Sequence, residues 1–565
     1  MRRSTRSGRR FWRKPKAESG LDLGLLGELG CMTELTLPEN PFRQGIDLRR
    51  VPEPSTLVIF GATGDLSRRK LLPSLFMMHR QGALPSGFSI VGFGRRPWSD
   101  ADFRAFVKES LDDSPGQQPT RDVWSGFEQM LFFARGEFDE PEAYRGLAAR
   151  LAEVDRQRAR TGNRLFYLAV PPSGYPLVIE GVGRAGLGDR RGGPDVVRLD
   201  ATESNSPARV PAEAGWARIV VEKPFGHDSP SATELNRQLQ AWFREDQIFR
   251  IDHYLGKETV QNILVFRLAN GIFEPVWNRN TVDHVQITVA EDLGVGTRGP
   301  YFEETGTLRD MVQNHVLQLL ALVAMEPPTS FAASAVRDER AKVLGAIKPL
   351  VGKAVDSDVV RGQYKSGFIA GDPVAGYREE PGVSAESQTE TFVALKVFVD
   401  SWRWAGVPFY LRAGKRMPRR ATEIAIQFKR PPLLLFGDDP AREPEPNVLA
   451  MNIQPDEGIT LKVGSKLPGP TIDIHSVHMD FRYGTSFGRR SPEAYERLLL
   501  DSLLGDATLF SREDSVQEAW RFVDPIEERW RERGAAPLAF YDAGAWGPKE
   551  AANLIAREHW AWRRL

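Results

Sequence analysis

The first third of the chain alternates short apolar runs with segments of helical character. STLVIFGATGD (55–65) is an apolar run closed by two glycines, and the helix-like LSRRKLLPSLFMMHRQG follows it. FSIVGFGRR (88–96), RLFYLAVPP (164–172) and ARIVVEKPFG (217–226) are likewise typical of buried strands that end in turns. Because strand, glycine turn, helix and strand in succession form a βαβ unit, this alternation predicts a doubly wound, parallel sheet.

Beyond residue 280 the pattern changes to an alternation of apolar and polar positions. It is clearest in HVQITVAE (284–291), TFVALKVFVD (391–400), EIAIQFKR (423–430) and GITLKVGS (458–465). Alternation with one polar face predicts an antiparallel sheet that is covered on one side. A helix with an apolar stripe on one face is predicted among these strands, in DMVQNHVLQLLALVAME (310–326).

These patterns divide the chain into three parts. We predict an α/β, Rossmann-like N-terminal domain over residues 51–250 and a larger α+β domain, built on a mainly antiparallel sheet, over residues 251–565. Residues 1–50 are predicted to be a disordered basic extension, or to include a start of translation at Met32; targeting or nucleic-acid contact is the alternative. Residues 183–215, rich in Gly, Pro, Ala and Arg, are predicted to form a surface insertion or a mobile loop.

Composition and charge exclude several classes of protein. The 565 residues include 75 Lys and Arg and 75 Asp and Glu, so no overall field attracts nucleic acid or an anionic membrane. No apolar run approaches the ~20 residues that span a bilayer. The single cysteine, Cys31, excludes an intramolecular disulfide and suits a cytoplasmic location. No cluster has the composition of a zinc site, and we predict no bound metal.

The first glycine turn, GATGDL (61–66), is a candidate phosphate site. Gly61 and Gly64 follow a strand and open a helix, where glycine lets a pyrophosphate approach backbone N–H groups. The spacing is G-x-x-G rather than G-x-G-x-x-G, and such turns also occur without a ligand. Arg68, Arg95 and Arg96 suit a ribose 2′-phosphate, which favours NADP over NAD; solvated surface bases are the alternative.

The segment RIDHYLGKE (250–258) brings an acid, two bases and a phenol together. A strand-like stretch ends here and a helix is predicted to begin, so that His253 and Lys257, four positions apart, share a helical face. With Tyr254 they are predicted to bind a phosphate dianion, while Asp252 faces elsewhere, toward a histidine. The alternative is an ordinary helix start capped by Asp252.

His315 is the candidate general base. It lies off the apolar stripe of its predicted helix and close to Asp310. An unperturbed histidine pKa of about 6.5 suits proton transfer near neutrality. A structural histidine is the alternative.

Five blocks, in order, resemble the glucose-6-phosphate dehydrogenase family: GATGDLSRRKLLP, VEKPFG, RIDHYLGKE, RDMVQNH and LRAGK. EAYERLLLD and EAWRFVDP extend the resemblance, which covers residues 52–560. It implies oxidation of glucose 6-phosphate at C1 with hydride transfer to NADP. It also implies a cytoplasmic homodimer or homotetramer that assembles through the C-terminal sheet.

The resemblance further implies roles for individual residues. His315 would be the general base and Asp252 would orient it. The residues implied to bind glucose 6-phosphate are Lys223, His253, Tyr254, Lys257, Glu291, Asp310, Lys415 and Arg420. Those implied to bind NADP are Gly61, Ala62, Thr63, Gly64, Asp65, Leu66, Arg68, Arg95, Tyr175 and Lys223.

The sequence differs from the family pattern at three places, and three alternative functions remain to be compared. Gly296 stands where the family often has a glutamate, residues 183–215 exceed the usual connection, and the basic arm has no counterpart. A catalytically silent NADP-binding regulator on the same scaffold would not need Asp252, His315 and Lys223 together. A nucleic-acid-binding function would need a recognition motif for DNA or RNA, and we find none in the sequence. An oxidoreductase for unphosphorylated sugar would not need the predicted phosphate site.

Overall fold

The structure is a computed structural model. It describes residues 51–114, 118–158, 162–188, 215–433, 435, 445–487 and 492–565. The predictions for residues 1–50, and for all but the ends of the insertion at 183–215, lie outside the described residues.

A parallel sheet forms the centre of the N-terminal half, as the apolar runs predicted. Among the described residues its strands are β1 (Thr56–Phe60), β2 (Ser89–Gly94), β3 (Leu131–Arg135), β4 (Arg164–Leu168), β5 (Ala217–Val221) and β6 (Ile248–Arg250). They pair in the order β3-β2-β1-β4-β5-β6, and every pairing is parallel. The order reverses between β1 and β4, which is where open α/β sheets bind their ligands, at the carboxyl ends of the strands.

Helices connect these strands on both faces of the sheet. They are α1 (Leu72–Arg80), α2 (Asp100–Asp112), α3 (Arg121–Glu128), α4 (Pro141–Arg158), α5 (Tyr175–Arg184) and α6 (Ser229–Gln240). Local sequence sets two of their starts: Ser99 and Asp228 cap α2 and α6 in reciprocal capping boxes. The strands are almost wholly buried, as expected for a sheet covered on both faces.

A second sheet, described as nine strands, forms the C-terminal half. Its strands are β7 (Val282–Ala290), β8 (Val359–Lys365), β11 (Phe392–Phe398), β12 (Pro408–Gly414), β13 (Ala421–Phe428), β14 (Val448–Gln454), β15 (Gly458–Lys466), β16 (Ile474–Arg482) and β17 (Ala539–Asp542). The order is β16-β15-β14-β13-β7-β12-β11-β8-β17, and the pairs β7–β12 and β8–β17 are parallel. The prediction of a mainly antiparallel sheet is confirmed. A small hairpin, β9 (Gly367–Ile369) with β10 (Asp372–Val374), stands apart.

The helices of this half lie between and around its strands. They are α7 (Glu258–Leu268), α8 (Gly299–Thr307), α9 (Leu317–Ala324), α10 (Ala333–Ala346), α11 (Lys353–Asp358), α12 (Tyr483–Phe487), α13 (Ala494–Leu504), α14 (Glu513–Arg531) and α15 (Lys549–Ala556). No helix in the described parts of the chain has both the length and the apolar character needed to cross a bilayer.

The predicted helix over 310–326 has two parts. Residues Leu308–Val316 form a π-helical segment, which we call the π segment, and α9 continues from it. Val312 and Val316 are fully buried, as the apolar stripe predicted. The wider π turn is common at functional sites, and this one carries both Asp310 and His315.

Helices of the C-terminal half also pack against the N-terminal half. Leu498, Leu499 and Leu503 of α13 are buried in one apolar cluster with Leu57 and Ile59 of β1. From α14, the indole of Trp520 donates a hydrogen bond of 2.8 Å to the carbonyl of Phe225, just beyond β5. The segment that follows β5 is therefore held against α14, and the carbonyl of Arg250 at the end of β6 accepts the N–H of Ser511, just before α14, at 3.1 Å.

Candidate active site

The turn after β6 differs from the predicted helix start. The helix begins only at Glu258, so the prediction that His253 and Lys257 share a helical face is wrong. The alternative, a helix capped by Asp252, is wrong as well, because Lys257 takes the N-cap position. The Asp252 carboxylate instead accepts the backbone N–H of Tyr254 at 3.0 Å, which closes a tight turn.

Asp252 and His315 meet in the interior of the site. The carboxylate of Asp252 lies 2.5 Å from Nδ1 of His315, and the ammonium of Lys223 lies 2.9 Å from Nε2. A carboxylate and an ammonium fix the tautomer: Nδ1–H donates to Asp252, and the Nε2 lone pair accepts from Lys223. The structure thus presents an unprotonated Nε2 beside the carboxyl end of β5.

The surroundings keep this imidazole neutral and this carboxylate charged. Burial lowers the pKa of His315 and the charge of Lys223 lowers it further, although Asp252 acts in the opposite direction. Burial alone would raise the pKa of Asp252, but the carboxylate accepts hydrogen bonds from Nδ1–H of His315 and from the backbone N–H of Tyr254, and these contacts bring its pKa below the usual range. The pair therefore has the protonation states of a general base and its orienting acid.

Alternating charges continue from Lys223 along one wall. Its ammonium donates to the carbonyl of Asp310 at 3.0 Å and to the carboxylate at 3.2 Å. Lys415 lies 3.9 Å from the same carboxylate and 2.5 Å from Glu291. Burial would lower the pKa of Lys223, but Asp310 opposes it and raises the pKa to about 12. Asp310 and Glu291 stay ionised, and their oxygens are acceptors suited to the hydroxyl groups of a ligand.

A basic pocket adjoins His315 on its other side. A cavity of about 740 Å³ is lined by His253, Lys257 and Arg420, together with Gln454 at the end of β14; its lining also includes two further bases and three carboxylates, namely Lys70, Arg482, Asp456, Glu457 and Glu493. The side-chain oxygen of Gln454 accepts from Lys257 and, at 3.1 Å, from Arg420. Burial and the charge of Arg420 lower the pKa of Lys257 to about 8. Two cations that share one neutral acceptor form a site suited to an anion, although the protein as a whole is neutral.

Tyr254 connects this pocket to the base. Its ring stacks on His315 with a centroid distance of 4.2 Å, and the ammonium of Lys257 lies 4.0 Å from the ring centroid. Its hydroxyl lies 3.4 Å from the hydroxyl of Thr422 and accepts from Gln454 at 3.3 Å. Sequence reasoning missed Thr422 and Gln454; the one available signal was a polar residue before Pro455 at the end of an apolar run.

Asp252, His253 and His315 also bring their possible ligand atoms within 4.8 Å of one another. A metal ion there would meet the ammonium of Lys223 and would displace the hydrogen bond between Nδ1 and Asp252. The charge arrangement thus favours proton transfer over metal binding. The absence of a metal stays a prediction.

The glycine turn has the form expected of a phosphate site. Gly61 has φ +79°, and a Cβ there would lie 2.4 Å from the carbonyl of Ala169. A cavity of about 570 Å³ opens beside the turn and is lined by Thr63, Gly64, Asp65, Arg68, Arg96, Trp98, Asp102, Ala105, Phe106 and Glu109. Gly64, Thr63 and the guanidinium groups in its lining fit a dinucleotide phosphate.

The arginines differ in how they are placed. Arg68 pairs with Glu109 at 3.0 Å and with Asp113 at 2.6 Å. The guanidinium of Arg96 lies 4.8 Å from the ring centroid of Trp98, at the wall of the cavity. Arg95, which the family resemblance favoured, is exposed and does not line this cavity. Arg96 is the better placed of the two.

Other predicted residues are enclosed. Ala62 is fully buried. Tyr175 is 1% exposed, and its hydroxyl donates to the carbonyl of Glu222 at 3.0 Å, immediately before Lys223. Gly296, the departure from the family pattern, adopts φ +53° and donates its N–H to Glu380 at 2.8 Å. A glutamate would be strained in that conformation.

The chain is similar to known proteins over most of its length. The model described as glucose-6-phosphate dehydrogenase, NAD binding domain, matches residues 58–262, and that of the C-terminal domain matches residues 264–563. The chain is 44% identical over 531 residues to glucose-6-phosphate 1-dehydrogenase 2 of Mycobacterium tuberculosis, covering 93% of this chain and 98% of the relative. It is 42% identical over 510 residues to glucose-6-phosphate 1-dehydrogenase of Bacillus subtilis, covering 90% and 98%.

A solved structure shares the fold. It is described as glucose-6-phosphate dehydrogenase in complex with its substrate glucose-6-phosphate, and it matches with a TM-score of 0.80 at 34% identity. The match covers 91% of this chain and 99% of the solved chain. The structure from Mycobacterium avium matches with a TM-score of 0.75, also at 34% identity, covering 91% and 99%.

Lys223→Met should raise the pKa of His315, because the cation that disfavours a protonated imidazole is removed. NMR titration of the histidine ring signals, with the His315 signal assigned by its loss in His315→Asn, measures the shift. Lys257→Met is the matched control. The cation of Lys257 lowers the pKa of His253, so its removal should shift the titration of His253 and not that of His315. An unchanged His315 titration in Lys223→Met would contradict the contact.

Proposed function

The chain belongs to the glucose-6-phosphate dehydrogenase family, and we propose that it oxidises D-glucose 6-phosphate at C1 to 6-phospho-D-glucono-1,5-lactone with NADP⁺ as the hydride acceptor. One observation carries the proposal: the imidazole of His315 lies between Asp252 and Lys223 and is stacked on Tyr254 at the edge of a basic pocket. That arrangement combines a general base with an anion site for the far end of a substrate.

We assign proton removal to His315. Its neutral Nε2 would accept the proton of the C1 hydroxyl, and the charge that then forms on the ring is stabilised by Asp252 through Nδ1–H. Lys223 can release Nε2 as the hydroxyl approaches, because it keeps two hydrogen bonds to Asp310. Its ammonium then remains beside the reacting oxygen.

We assign the 6-phosphate to His253, Tyr254, Lys257 and Arg420, and the sugar hydroxyls to Glu291, Asp310 and Lys415. The repulsion between Lys257 and Arg420, which helps to lower the pKa of Lys257, would be relieved by a dianion. An unphosphorylated sugar offers no such compensation. A catalytically silent regulator would have no use for the buried Asp252–His315 pair. Oxidation of glucose 6-phosphate therefore explains the site better than either a regulator or an oxidoreductase for unphosphorylated sugar.

NADP⁺, when bound, supplies the acceptor for the hydride. We propose that the backbone of Gly61–Leu66 holds its pyrophosphate, with Arg68 and Arg96 at a ribose 2′-phosphate and Tyr175 and Lys223 toward the nicotinamide. The two guanidinium groups at the cavity beside the turn support NADP over NAD. Arg95 remains a candidate that would need to approach from outside that cavity.

We also propose a homodimer or homotetramer that forms through the C-terminal sheet, in the cytoplasm. At the β16 edge, Val477 and Met479 are 42% and 62% exposed, and they pair across the ladder with Val463 and Leu461. An exposed apolar edge strand is a template for association. A purely monomeric sedimentation profile would contradict this assembly.

The direct test compares NADPH and NADH formation with glucose 6-phosphate and with glucose. We expect turnover with glucose 6-phosphate and NADP⁺, and a much lower kcat/KM when either glucose or NAD⁺ is substituted. Equal kcat/KM for the two sugars would sink the phosphate assignment. Absence of any reduction would favour the silent regulator.

His315→Asn should lower kcat by about 10²–10⁴-fold while glucose 6-phosphate still binds, because only the proton acceptor is lost. Stopped assays give kcat, and calorimetry gives the dissociation constant. His284→Asn is the control, since His284 is also buried and hydrogen-bonded, at 2.8 Å from Asp283, but lies outside the site. Near-wild-type kcat in His315→Asn would contradict the mechanism.

Lys257→Ala should raise KM for glucose 6-phosphate with little change in kcat, because phosphate binding is largely the same in ground and transition states. With a free-enzyme pKa of about 8, Lys257 loses its charge as the pH rises through that value, and kcat/KM should fall. Lys257→Arg keeps its charge and should lack this fall. An unchanged KM with a collapsed kcat in Lys257→Ala would contradict the assignment.

A further inference from the structure

The π segment that carries Asp310 and His315 does not begin as a continuation of α8. Gly306, near the end of α8, has φ 61° and ψ −178°, which is not helical. The backbone N–H groups that follow it therefore lack acceptors in the preceding turn, as at any helix start. Thr307 and Leu308 are fully buried, so water does not supply those acceptors.

Glu390 supplies them from another part of the chain. It lies two residues before β11, and its backbone carbonyl accepts the N–H of Thr307 at 3.1 Å. Its side-chain Oε1 accepts the N–H of Leu308 at 2.9 Å. A helix is usually capped by the residue that precedes it; here the cap comes from a residue more than eighty positions later.

Gly306 makes this approach possible. A Cβ at that position would lie 2.3 Å from Oε1 of Glu390. A side chain there would also be strained by the positive φ. The glycine and the glutamate thus act together. Gly306 breaks the helix near the end of α8 and, because it has no Cβ, admits the carboxylate of Glu390, and that carboxylate caps the first turn of the π segment.

The next residue ties the same loop to a second part of the site. The carbonyl of Thr391 accepts the backbone N–H of Lys415 at 3.0 Å, and the hydroxyl of Tyr541 donates to the carbonyl of Lys415 at 2.6 Å. Asp310 lies only two residues after Leu308, and its carboxylate lies 3.9 Å from the Lys415 ammonium. Glu390 and Thr391 together therefore set the distance between two walls of the active site.

We propose that Glu390 is a positioning residue for the dehydrogenase reaction: its side-chain oxygen caps the π segment and thereby holds Asp310 and His315 in place against Lys223 and Asp252. Glu390 acts on Asp310 and His315 only through the backbone of Leu308, whose N–H its side chain accepts. The effect on turnover rests on the proposed function, whereas the cap itself does not.

The cap depends on the reach of an acceptor and not on a charge. Burial raises the pKa of Glu390, while the Leu308 N–H and the nearby Arg309 and Arg361 oppose it. A side-chain amide has the same length and the same acceptor oxygen. Glu390→Gln should therefore keep the cap, and Glu390→Asp, which keeps the charge but shortens the side chain, should lose it.

The experiment compares these two variants with wild type. We expect Glu390→Asp to lower kcat by about 10- to 100-fold, as small misplacements of catalytic groups do, with KM for glucose 6-phosphate within about threefold because the phosphate residues lie on other elements. Glu390→Gln should restore kcat to within about threefold of wild type. Hydrogen exchange of residues 307–309 should be faster in Glu390→Asp alone.

Glu303→Asp is the matched control for general loosening of this region. Glu303 lies on α8, and its carboxylate accepts from Tyr377 and Ser387, both at 2.6 Å, and from the backbone N–H of Ser384 at 3.3 Å; none of these three donors belongs to the π segment. It should keep wild-type kcat. The proposal is overturned if Glu390→Asp keeps wild-type kcat, if Glu390→Gln is as impaired as Glu390→Asp, or if Glu303→Asp loses as much.

Failure of the proposed function gives a different result. Wild-type protein would then show no reduction of NADP⁺ with glucose 6-phosphate, while hydrogen exchange would still report whether Glu390 caps the segment. Faster exchange in Glu390→Asp without any wild-type activity refutes the function and leaves the cap in place. Unchanged exchange with active wild type refutes the cap alone.

Discussion

The buried hydrogen bond between Asp252 and His315 joins the two halves of the molecule. Asp252 follows the last strand of the parallel sheet, His315 belongs to the π segment of the other half, and the bond of 2.5 Å spans 63 positions. A carboxylate without a partner at this depth would be costly. The bond therefore both requires the two halves to dock and fixes the direction in which Nε2 points.

The rest of the site arranges charge around that bond. On one side, Lys223, Asp310, Lys415 and Glu291 alternate in sign, so each buried ion has a counter-ion within a few ångströms. On the other side, Lys257 and Arg420 have only an amide oxygen between them. Direct ion pairs on the first side keep the reacting groups rigid, whereas on the second side burial and the charge of Arg420 lower the pKa of Lys257, and an anion bound there would offset both effects.

Much of this could be predicted from sequence, because the determinants are local. The apolar runs at β1, β2, β4 and β5 and the glycine turn lie within single stretches, and so do the family blocks with His315 and Asp252. The helical reading of His253 and Lys257 was wrong because the turn bond from Tyr254 to Asp252 overrides the apolar periodicity, which begins only at Val260. Thr422 and Gln454 contact Tyr254, and Glu390 contacts Leu308, across more than eighty positions, where spacing carries no signal.

The packing of α13 on the parallel sheet has a consequence for synthesis. Leu498, Leu499 and Leu503 belong to the apolar cluster that contains Leu57 and Ile59, so this cluster is incomplete until the last part of the chain has been made. At roughly 5–20 residues per second, the ribosome needs on the order of tens of seconds to pass from β6 to α13. During that interval the apolar residues of the N-terminal half lack the partners that α13 supplies, so the cluster cannot reach its final packing before α13 has been synthesised.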